Sequence, residues 1–192
     1  GAFSSVDCLD LETGQWLAVA PMSEPRYDFA AAAVGGKIYV TGGRWTEDST
    51  ECFDPAINQW TEMTPMNTPR HKNAMVSAKG KLYVAGGFGN HHNLAKPTIT
   101  DVECFDPTTR VWTTIAPMNE GRDNLGLAVL GDKLYAIGGY RLSSMECLDL
   151  SIPNGQWTPV ASMTMPRGGF GVVVTNGKIY TIGGQATAAR TS

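Results

Sequence analysis

Long apolar runs, an N-terminal signal peptide and dense blocks of like charge are all missing from this sequence. No segment comes near the roughly 18 apolar residues needed to cross a bilayer. The formal net charge is only -3, which argues against a general nucleic-acid binder. We therefore expect neither a membrane nor a nucleic acid among the partners of this protein.

Residues that would carry catalysis are also scarce. The chain has 3 histidines, and His91 and His92 are adjacent, whereas a copper oxidase site needs several converging histidine and tyrosine ligands. There is no Ser-x-Asp-x-Gly-x-Thr-Trp box of the kind found in sialidases, and no glycine-rich loop that opens a helix to hold phosphate. We predict a protein that is not an enzyme and has no metal or cofactor.

A repeat with a period in the mid-forties organises the whole chain. Each copy contains a glycine doublet, a tyrosine three residues before it, a tryptophan and an arginine, and all four markers advance by steps of 44, 52 and 45 residues. Such a period is typical of an array of like units, none of which can bury its apolar face alone. The markers are Gly42-Gly43, Gly86-Gly87, Gly138-Gly139 and Gly183-Gly184; Tyr39, Tyr83, Tyr135 and Tyr180; Trp16, Trp60, Trp112 and Trp157; and Arg26, Arg70, Arg122 and Arg167.

The cysteines follow the same repeat. They stand at one position of the unit, within VDCLD, TECFD, VECFD and MECLD, and not at complementary positions as in a disulfide framework. We interpret them as small buried strand residues, and free thiols in every unit favour a reducing compartment. The four are Cys8, Cys52, Cys104 and Cys147.

Each unit is predicted to form four short antiparallel strands. A strand of small residues follows the arginine, a two-residue turn such as Gly35-Gly36 leads into KIYVTGG, and the cysteine strand and the tryptophan strand complete the unit. No segment has a helical period. We predict an all-β propeller of four-stranded blades, with the tryptophans filling the wedges between blades.

The pattern resembles the kelch repeat, and specifically the kelch-like proteins of animal cells. The resemblance lies in Arg26, IYVTGG (38–43), ECFDP (51–55), the Trp60 strand and PMNTPR (65–70), and it extends from Val6 to Gly184. It implies a propeller, usually of six blades, that binds a partner protein on one rim. In kelch-like proteins the propeller follows a BTB domain and a helical segment that recruit a cullin-type ubiquitin ligase, and this chain contains neither.

The two ends of the chain carry split units. Residues 1–184 are predicted to form the propeller and 185–192 a disordered tail. The chain opens with the third and fourth strands of one unit and closes with the first and second strands of another. Two interpretations stay open: the ends complete each other in a four-bladed ring, or the chain is an excerpt of a longer propeller.

Two sets of loops are predicted to share one rim and to bind the partner. One set follows the glycine doublets and the other leads into each arginine, and exposed Trp, Tyr and Arg are typical of interface hot spots. In kelch-like adaptors the matching arginines commonly line the partner pocket, but a purely structural role for the four repeated arginines stays open. The candidate partner-binding residues are Arg26, Arg44, Trp45, Arg70, His71, Phe88, Arg122, Tyr140, Arg141 and Arg167.

Insertions and carboxylates add further candidates. The insertion at 88–100 maps to the binding rim, and its histidines lack the neighbours a zinc site needs. The longer turn at 151–156 maps to the opposite rim. Carboxylates between the units could in principle pair for acid–base chemistry, but their positions suit salt bridges with neighbouring arginines at least as well. These carboxylates are Glu24, Asp28, Glu120 and Asp123.

These observations predict a cytoplasmic protein-binding module that binds an acidic or polar segment of its partner. By resemblance, it is the substrate-recognition propeller of a cullin-ligase adaptor. Actin binding or cytoskeletal scaffolding is the alternative, and a carbohydrate-active enzyme is a third.

Overall fold

The computed structural model describes residues 1–89 and 98–186, and within them it contains strands and turns but no helix. Three four-stranded antiparallel sheets follow one another along the sequence, and two-stranded sheets precede and follow them. The all-β architecture and the three complete blades are therefore confirmed. No helix capable of spanning a membrane occurs in the part of the chain that the structure describes.

We number the blades I to V in chain order. Blades II, III and IV are complete, whereas blades I and V have two long strands each. The strands are β1 (Val6–Asp10) and β2 (Gln15–Val19) in blade I; β3 (Ala30–Val34), β4 (Lys37–Thr41), β5 (Thr50–Asp54) and β6 (Gln59–Met63) in blade II; β7 (Ala74–Ala78), β8 (Lys81–Ala85), β9 (Val102–Asp106) and β10 (Val111–Ile115) in blade III; β11 (Gly126–Leu130), β12 (Lys133–Gly139), β13 (Leu142–Asp149) and β14 (Thr158–Val160) in blade IV; and β15 (Arg167–Gly168), β16 (Gly171–Thr175), β17 (Lys178–Ile182) and β18 (Gln185–Ala186) in blade V.

The first strands of successive blades pack side by side. β3 contacts β7, β7 contacts β11, and β11 contacts β16. The small side chains predicted for these strands permit that approach. The glycine doublets are needed for the same reason: Gly42 has φ +70°, and a Cβ there would lie 2.5 Å from the carbonyl oxygen of Arg70 in the next blade. A side chain at this position would push the two blades apart.

The tryptophans join each complete blade to the one before it. The indole N–H of Trp112 donates to the carbonyl of Thr64 at 2.9 Å, and its ring packs against Phe105 with centroids 4.9 Å apart. Trp60 donates to Ala20 and Trp157 to Ala116, each at 2.8 Å. The predicted wedge role holds for these three. Trp16 of blade I is 68% exposed and does not fill a wedge within the described residues.

The four cysteines are free thiols, and the repeat explains their surroundings. Each cysteine of blades II to IV lies directly across the sheet from the repeated tyrosine, so that Tyr83 faces Cys104. Burial raises the pKa of the Cys104 thiol and also that of Tyr83, to about 12, so neither group ionises near neutral pH. Cys8 is exposed, which differs from the predicted burial, because in the described part of the chain β1 pairs with β2 alone.

The two split blades do not complete each other in the structure. β1 pairs with β2 and β16 with β17, and no pairing joins these two sheets in residues 1–89 and 98–186.

The predicted disordered tail needs one correction, since Gln185–Ala186 forms a short strand against Arg167–Gly168. Gln185 follows a glycine doublet and makes the same backbone pairing as its counterparts in other blades. Residues 187–192 lie outside the described part.

Asn73 breaks the repeat at an apolar position. Three residues after each repeated arginine stands Phe29, Asn73, Leu125 or Phe170, and Asn73 is only 8% exposed. Neither its amide nitrogen nor its amide oxygen has a hydrogen-bond partner among the described residues. An unpaired buried amide costs about 1–3 kcal/mol.

We therefore expect Asn73→Leu to raise the free energy of unfolding by about 1 kcal/mol. Leu125 already shows that leucine fits here, because it packs against Gly86 as Asn73 packs against Gly42. Urea unfolding followed by circular dichroism measures the change. The reciprocal variant, Leu125→Asn, should be destabilised. A lower unfolding midpoint for Asn73→Leu would contradict the account.

Candidate functional site

One rim is held together by backbone hydrogen bonds that pass from blade to blade. The second residue after each repeated arginine has a left-handed backbone, as at Lys72 with φ 56°. The N–H of each donates to the carbonyl of its predecessor: Lys72 to Asp28 at 2.7 Å, Asn124 to Lys72 at 2.9 Å, and Gly169 to Asn124 at 2.9 Å. We call the rim that carries these residues the mouth. The bonds fix blades II to V relative to one another there.

The loops after the glycine doublets reach the same mouth, as predicted. The residue after each doublet donates its N–H to the residue after an arginine of the same blade. The pairs are Arg44 with Tyr27 at 3.0 Å, Phe88 with His71 at 2.7 Å, and Tyr140 with Asp123 at 2.9 Å. These side chains differ from blade to blade on a constant backbone. The mouth therefore combines a rigid frame with variable chemistry.

The repeated arginines lie inside this frame. Arg70 is 0% exposed, and its guanidinium donates to Glu103 at 2.7 Å and to the carbonyls of Gly86 and Asp101 at 2.9 Å. Arg26 pairs with Glu51 at 2.7 Å in the same way, and Arg122 with Glu146 at 3.1 Å. Each guanidinium thus closes one blade by joining its glycine doublet to its third strand.

This burial corrects the predicted partner-binding role of Arg26, Arg70 and Arg122. Their charges are neutralised by glutamates and their side chains do not reach the surface, so the structural role left open in the sequence is the one observed. Burial acts to raise the pKa of Glu51, but hydrogen bonds from Ser23 and Arg26 outweigh it and hold that pKa below its ordinary value. Glu51 is therefore a carboxylate near neutral pH.

Arg167 keeps the geometry but lacks the glutamate. Its guanidinium donates to the carbonyl of Gly183 at 3.0 Å, as Arg70 does to Gly86, and the side chain is half-buried. No carboxylate lies within ion-pair distance of it in the described ranges, since blade V there has no third strand of this type. A partner-binding role for Arg167 stays a prediction.

Two loop positions present large side chains at the mouth. Trp45 is 73% exposed, its ring meets Tyr27 edge-on at 5.1 Å, and the guanidinium of Arg44 lies 5.9 Å from the Tyr27 ring centre. Trp45 and Arg141 occupy equivalent positions and have left-handed backbones, with φ of 68° and 66°. That conformation costs roughly 1–2 kcal/mol for such residues. The same conformation also occurs in turns of the opposite rim, as at Arg110 with φ 59°, so it marks tight turns in both places.

Between these two loops the mouth is more closed. Phe88 is half-buried and packs against His71 with ring centres 5.5 Å apart. His71 is 1% exposed, so its predicted contact with a partner is corrected to an internal packing role. The insertion that begins at Phe88 continues into residues 90–97. Those residues, His91 and His92 among them, lie outside the described part.

A cleft of about 370 Å³ opens at the mouth between blades III and IV. Its polar lining includes Lys72, Glu120, Asp123 and Arg141, and Tyr140 forms one wall. A second cavity of about 330 Å³ adjoins it and shares Lys72 and Tyr140. Ligand pockets begin at about 300 Å³, so the cleft has room for a side chain or a short peptide.

The charges of the cleft differ in depth. Asp123 is buried and accepts a hydrogen bond from the Asn124 amide at 3.0 Å. Burial raises the pKa of Asp123, although Lys72 and Asn124 act in the opposite direction. Glu120 accepts from Ser144 at 2.7 Å and lies 3.5 Å from Arg122. Glu120 thus takes the salt-bridge role left open for the carboxylates, whereas Asp123 has no ion pair in the described part of the chain.

No group of three or more potential metal ligands occurs among the described residues.

The opposite rim consists of turns closed by aspartates: Asp54 accepts from the N–H of Ala56 at 3.0 Å and Asp106 from that of Thr108 at 2.9 Å. The long turn at 151–156 lies there too, between β13 and β14, as predicted. The mouth therefore has more exposed side chains that differ from blade to blade than the opposite rim has.

Comparison with known families agrees with this geometry. Residues 1–139 match the sequence model described as the KLHDC2/KLHL20/DRC7 Kelch-repeats domain. The chain belongs to the kelch-repeat family. Two further matches to the Kelch motif cover residues 121–164 and 166–192. The kelch resemblance inferred from the glycine, tryptophan and arginine markers is confirmed.

Curated relatives carry the name of kelch-like proteins. The chain is 34% identical to Kelch-like protein 28 from Homo sapiens over 73% of its own length, and 49% identical to Kelch-like protein 7 from Gallus gallus over 70%. It spans only 18% and 23% of those two proteins, about a fifth of their length. The solved structure of YjhT superposes with a TM-score of 0.76 at 19% identity, covering 95% of this chain and 72% of that one. That likeness shows the propeller fold.

Sequence reasoning missed the role of a glutamate that recurs in each of the three complete blades. Glu51, Glu103 and Glu146 each precede a cysteine in a strand that is otherwise largely apolar. A charge repeated at a buried position requires a repeated counter-charge, and two kinds of cation share the register of the repeat: the arginines and the lysines that follow the first turn of each unit, such as Lys37. This signal would have made the arginines candidates for the blade interior.

Proposed function

We propose that this kelch domain is a non-catalytic protein-binding module that acts as the substrate-recognition propeller of a kelch-like adaptor for a cullin-type ubiquitin ligase. The observation that carries the proposal is the mouth, where Trp45, Tyr140 and Arg141 are exposed on a frame fixed by backbone bonds. Exposed tryptophan, tyrosine and arginine on rigid supports are what interface hot spots require. The similarity to kelch-like proteins supports the adaptor assignment.

The partner is proposed to offer an acidic or polar segment to the outer part of the mouth. Arg44 and Arg141 supply guanidinium groups beside aromatic rings, and such groups pair with carboxylates in a bidentate manner. The buried arginines add no such field, since each is matched by a glutamate. We also propose a reducing, cytoplasmic location, which the four free thiols support.

A rim variant tests this function. The quadruple variant Arg44→Ala, Trp45→Ala, Tyr140→Ala and Arg141→Ala should lose at least about a hundredfold in affinity, because single hot-spot truncations already cost about 2 kcal/mol. Affinity pull-down from cell lysate with quantitative mass spectrometry measures the loss, and added salt should weaken capture by the parent chain.

Arg110→Ala is the matched control, because Arg110 lies in the β9–β10 turn of the opposite rim. It should capture the same proteins as the parent chain. Equal capture by the quadruple variant would refute the mouth as the binding surface. Co-sedimentation with filamentous actin that the quadruple variant loses would instead support the scaffold alternative.

A further inference from the structure

The cleft between blades III and IV has a carboxylate at its most buried point and its cations further out. Asp123 is 7% exposed, Lys72 is half-buried and Arg141 is exposed. Charges at a desolvated position interact more strongly than charges that water and salt can screen. Asp123 therefore gives the cleft a preference for cations over anions, although the formal positive and negative charges of its lining are equal in number.

Asp123 has its charge only partly compensated. Asn124 donates one hydrogen bond to it at 3.0 Å, and Lys72 acts on it electrostatically without an ion pair within 4.0 Å in the described residues. A buried carboxylate in this condition gains most from a donor that is itself positively charged. An incoming cation would donate the hydrogen bonds that water cannot supply to the Asp123 carboxylate inside the cleft.

Tyr140 supplies the second element of a cation site. Tyr140 lines both cavities of the mouth. The guanidinium of Arg141 already lies 5.1 Å from the centre of the Tyr140 ring, so the ring attracts a cation within the chain itself. Glu120 adds another carboxylate to the same lining.

We propose that this cleft receives a lysine or arginine side chain of the partner protein, with its cationic head on the Asp123 carboxylate and its stem along Tyr140. The proposal rests on the protein-binding function above and adds a requirement to it. The partner segment carries a basic residue for the cleft as well as acidic or polar groups for Arg44 and Arg141.

The test uses N-acetyl-arginine amide and N-acetyl-lysine amide as probes, titrated into the ¹⁵N-labelled chain. We expect saturable shifts of the backbone amides of Asn124, Tyr140 and Leu142, with dissociation constants on the order of 1 mM for ligands of this size. N-acetyl-glutamate amide should leave the Asn124 amide unshifted, whereas any contact that it makes with Arg141 affects the amides of Tyr140 and Leu142. Saturable binding of the glutamate probe at Asn124, or no saturable shift with either basic probe, would overturn the proposal.

Variants assign the effect to Asp123. Asp123→Asn should weaken binding of the basic probes about tenfold, as expected for loss of a charged hydrogen-bond partner. Lys72→Ala should strengthen it, because a competing ammonium is removed. Asp132→Asn is the matched control, since Asp132 pairs with Lys79 away from the cleft. Undiminished binding in a folded Asp123→Asn chain would refute the site.

Two further results keep the outcomes distinct. If Asp123→Asn does not give a dispersed spectrum, Glu120→Gln takes its place, and a loss of about threefold is expected. Probe binding that depends on Asp123, together with a pull-down that the mouth variant leaves unchanged, would support the cation site and reject the adaptor function. The reverse pattern would reject the cation site alone.

Discussion

Replacing Arg70 with alanine should lower the free energy of unfolding by about 3–5 kcal/mol, because removal of one partner from a buried ion pair leaves the other charge uncompensated. Glu103 is as fully buried as Arg70, and among the described residues it would keep only the N–H donors of Asn67 and Thr68 at 2.8 and 3.1 Å. The carbonyl of Gly86 would lose its Arg70 donor as well, whereas that of Asp101 would keep the backbone N–H of Gly86 at 3.3 Å. A loss of this size is a large part of the stability of an ordinary domain.

Arg167→Ala provides the matched control. Arg167 holds the same position in its unit but is half-buried and donates to one carbonyl, that of Gly183. Its removal should therefore cost far less than that of Arg70. The double variant Arg70→Met, Glu103→Leu should recover much of the loss, because an apolar pair can replace a buried ion pair. Urea unfolding followed by circular dichroism measures all three, and similar losses for Arg70→Ala and Arg167→Ala would contradict the assignment.

Periodicity predicted the fold because each repeated residue is required by a contact that every blade must make. Gly42 is required where the backbone of the next blade approaches, and Tyr39 stands across the sheet from Cys52. Four markers advancing in one register were enough to fix the strand order and the position of the loops. The physical constraint recurs, so its residue recurs.

The candidate site was harder to predict, because repetition does not distinguish a residue that holds the blade from one that binds a partner. Arg26 and Trp45 were both placed at the rim, yet one is buried on a glutamate and the other is exposed. The non-repeated residues proved the better guide to the surface. Asp123 was recognised as a possible acid or base, but its burial and the cleft around it depend on how two blades meet, which local sequence does not state.

Trp112→Ala should also cost about 3–5 kcal/mol, the range for truncation of a large buried aromatic side chain. The indole is 6% exposed and belongs to one apolar cluster with Phe105 of its own blade, Tyr39 of blade II and Met66 of the connection between the two blades. Truncation would open a cavity at the junction of two blades and also leave the carbonyl of Thr64 without its donor. The loss would therefore affect the packing of blades as well as one strand.

Two variants separate the parts of this effect. Trp112→Phe keeps most of the apolar volume but removes the N–H, so it should cost only about 1 kcal/mol beyond the small loss of packing. Trp16→Ala changes the same repeat position in blade I, where the ring is 68% exposed, and should cost much less. Thermal unfolding of the three chains gives the comparison. If Trp112→Ala melted within about 2 °C of the parent chain, the tryptophan would not be the wedge that joins blade III to blade II.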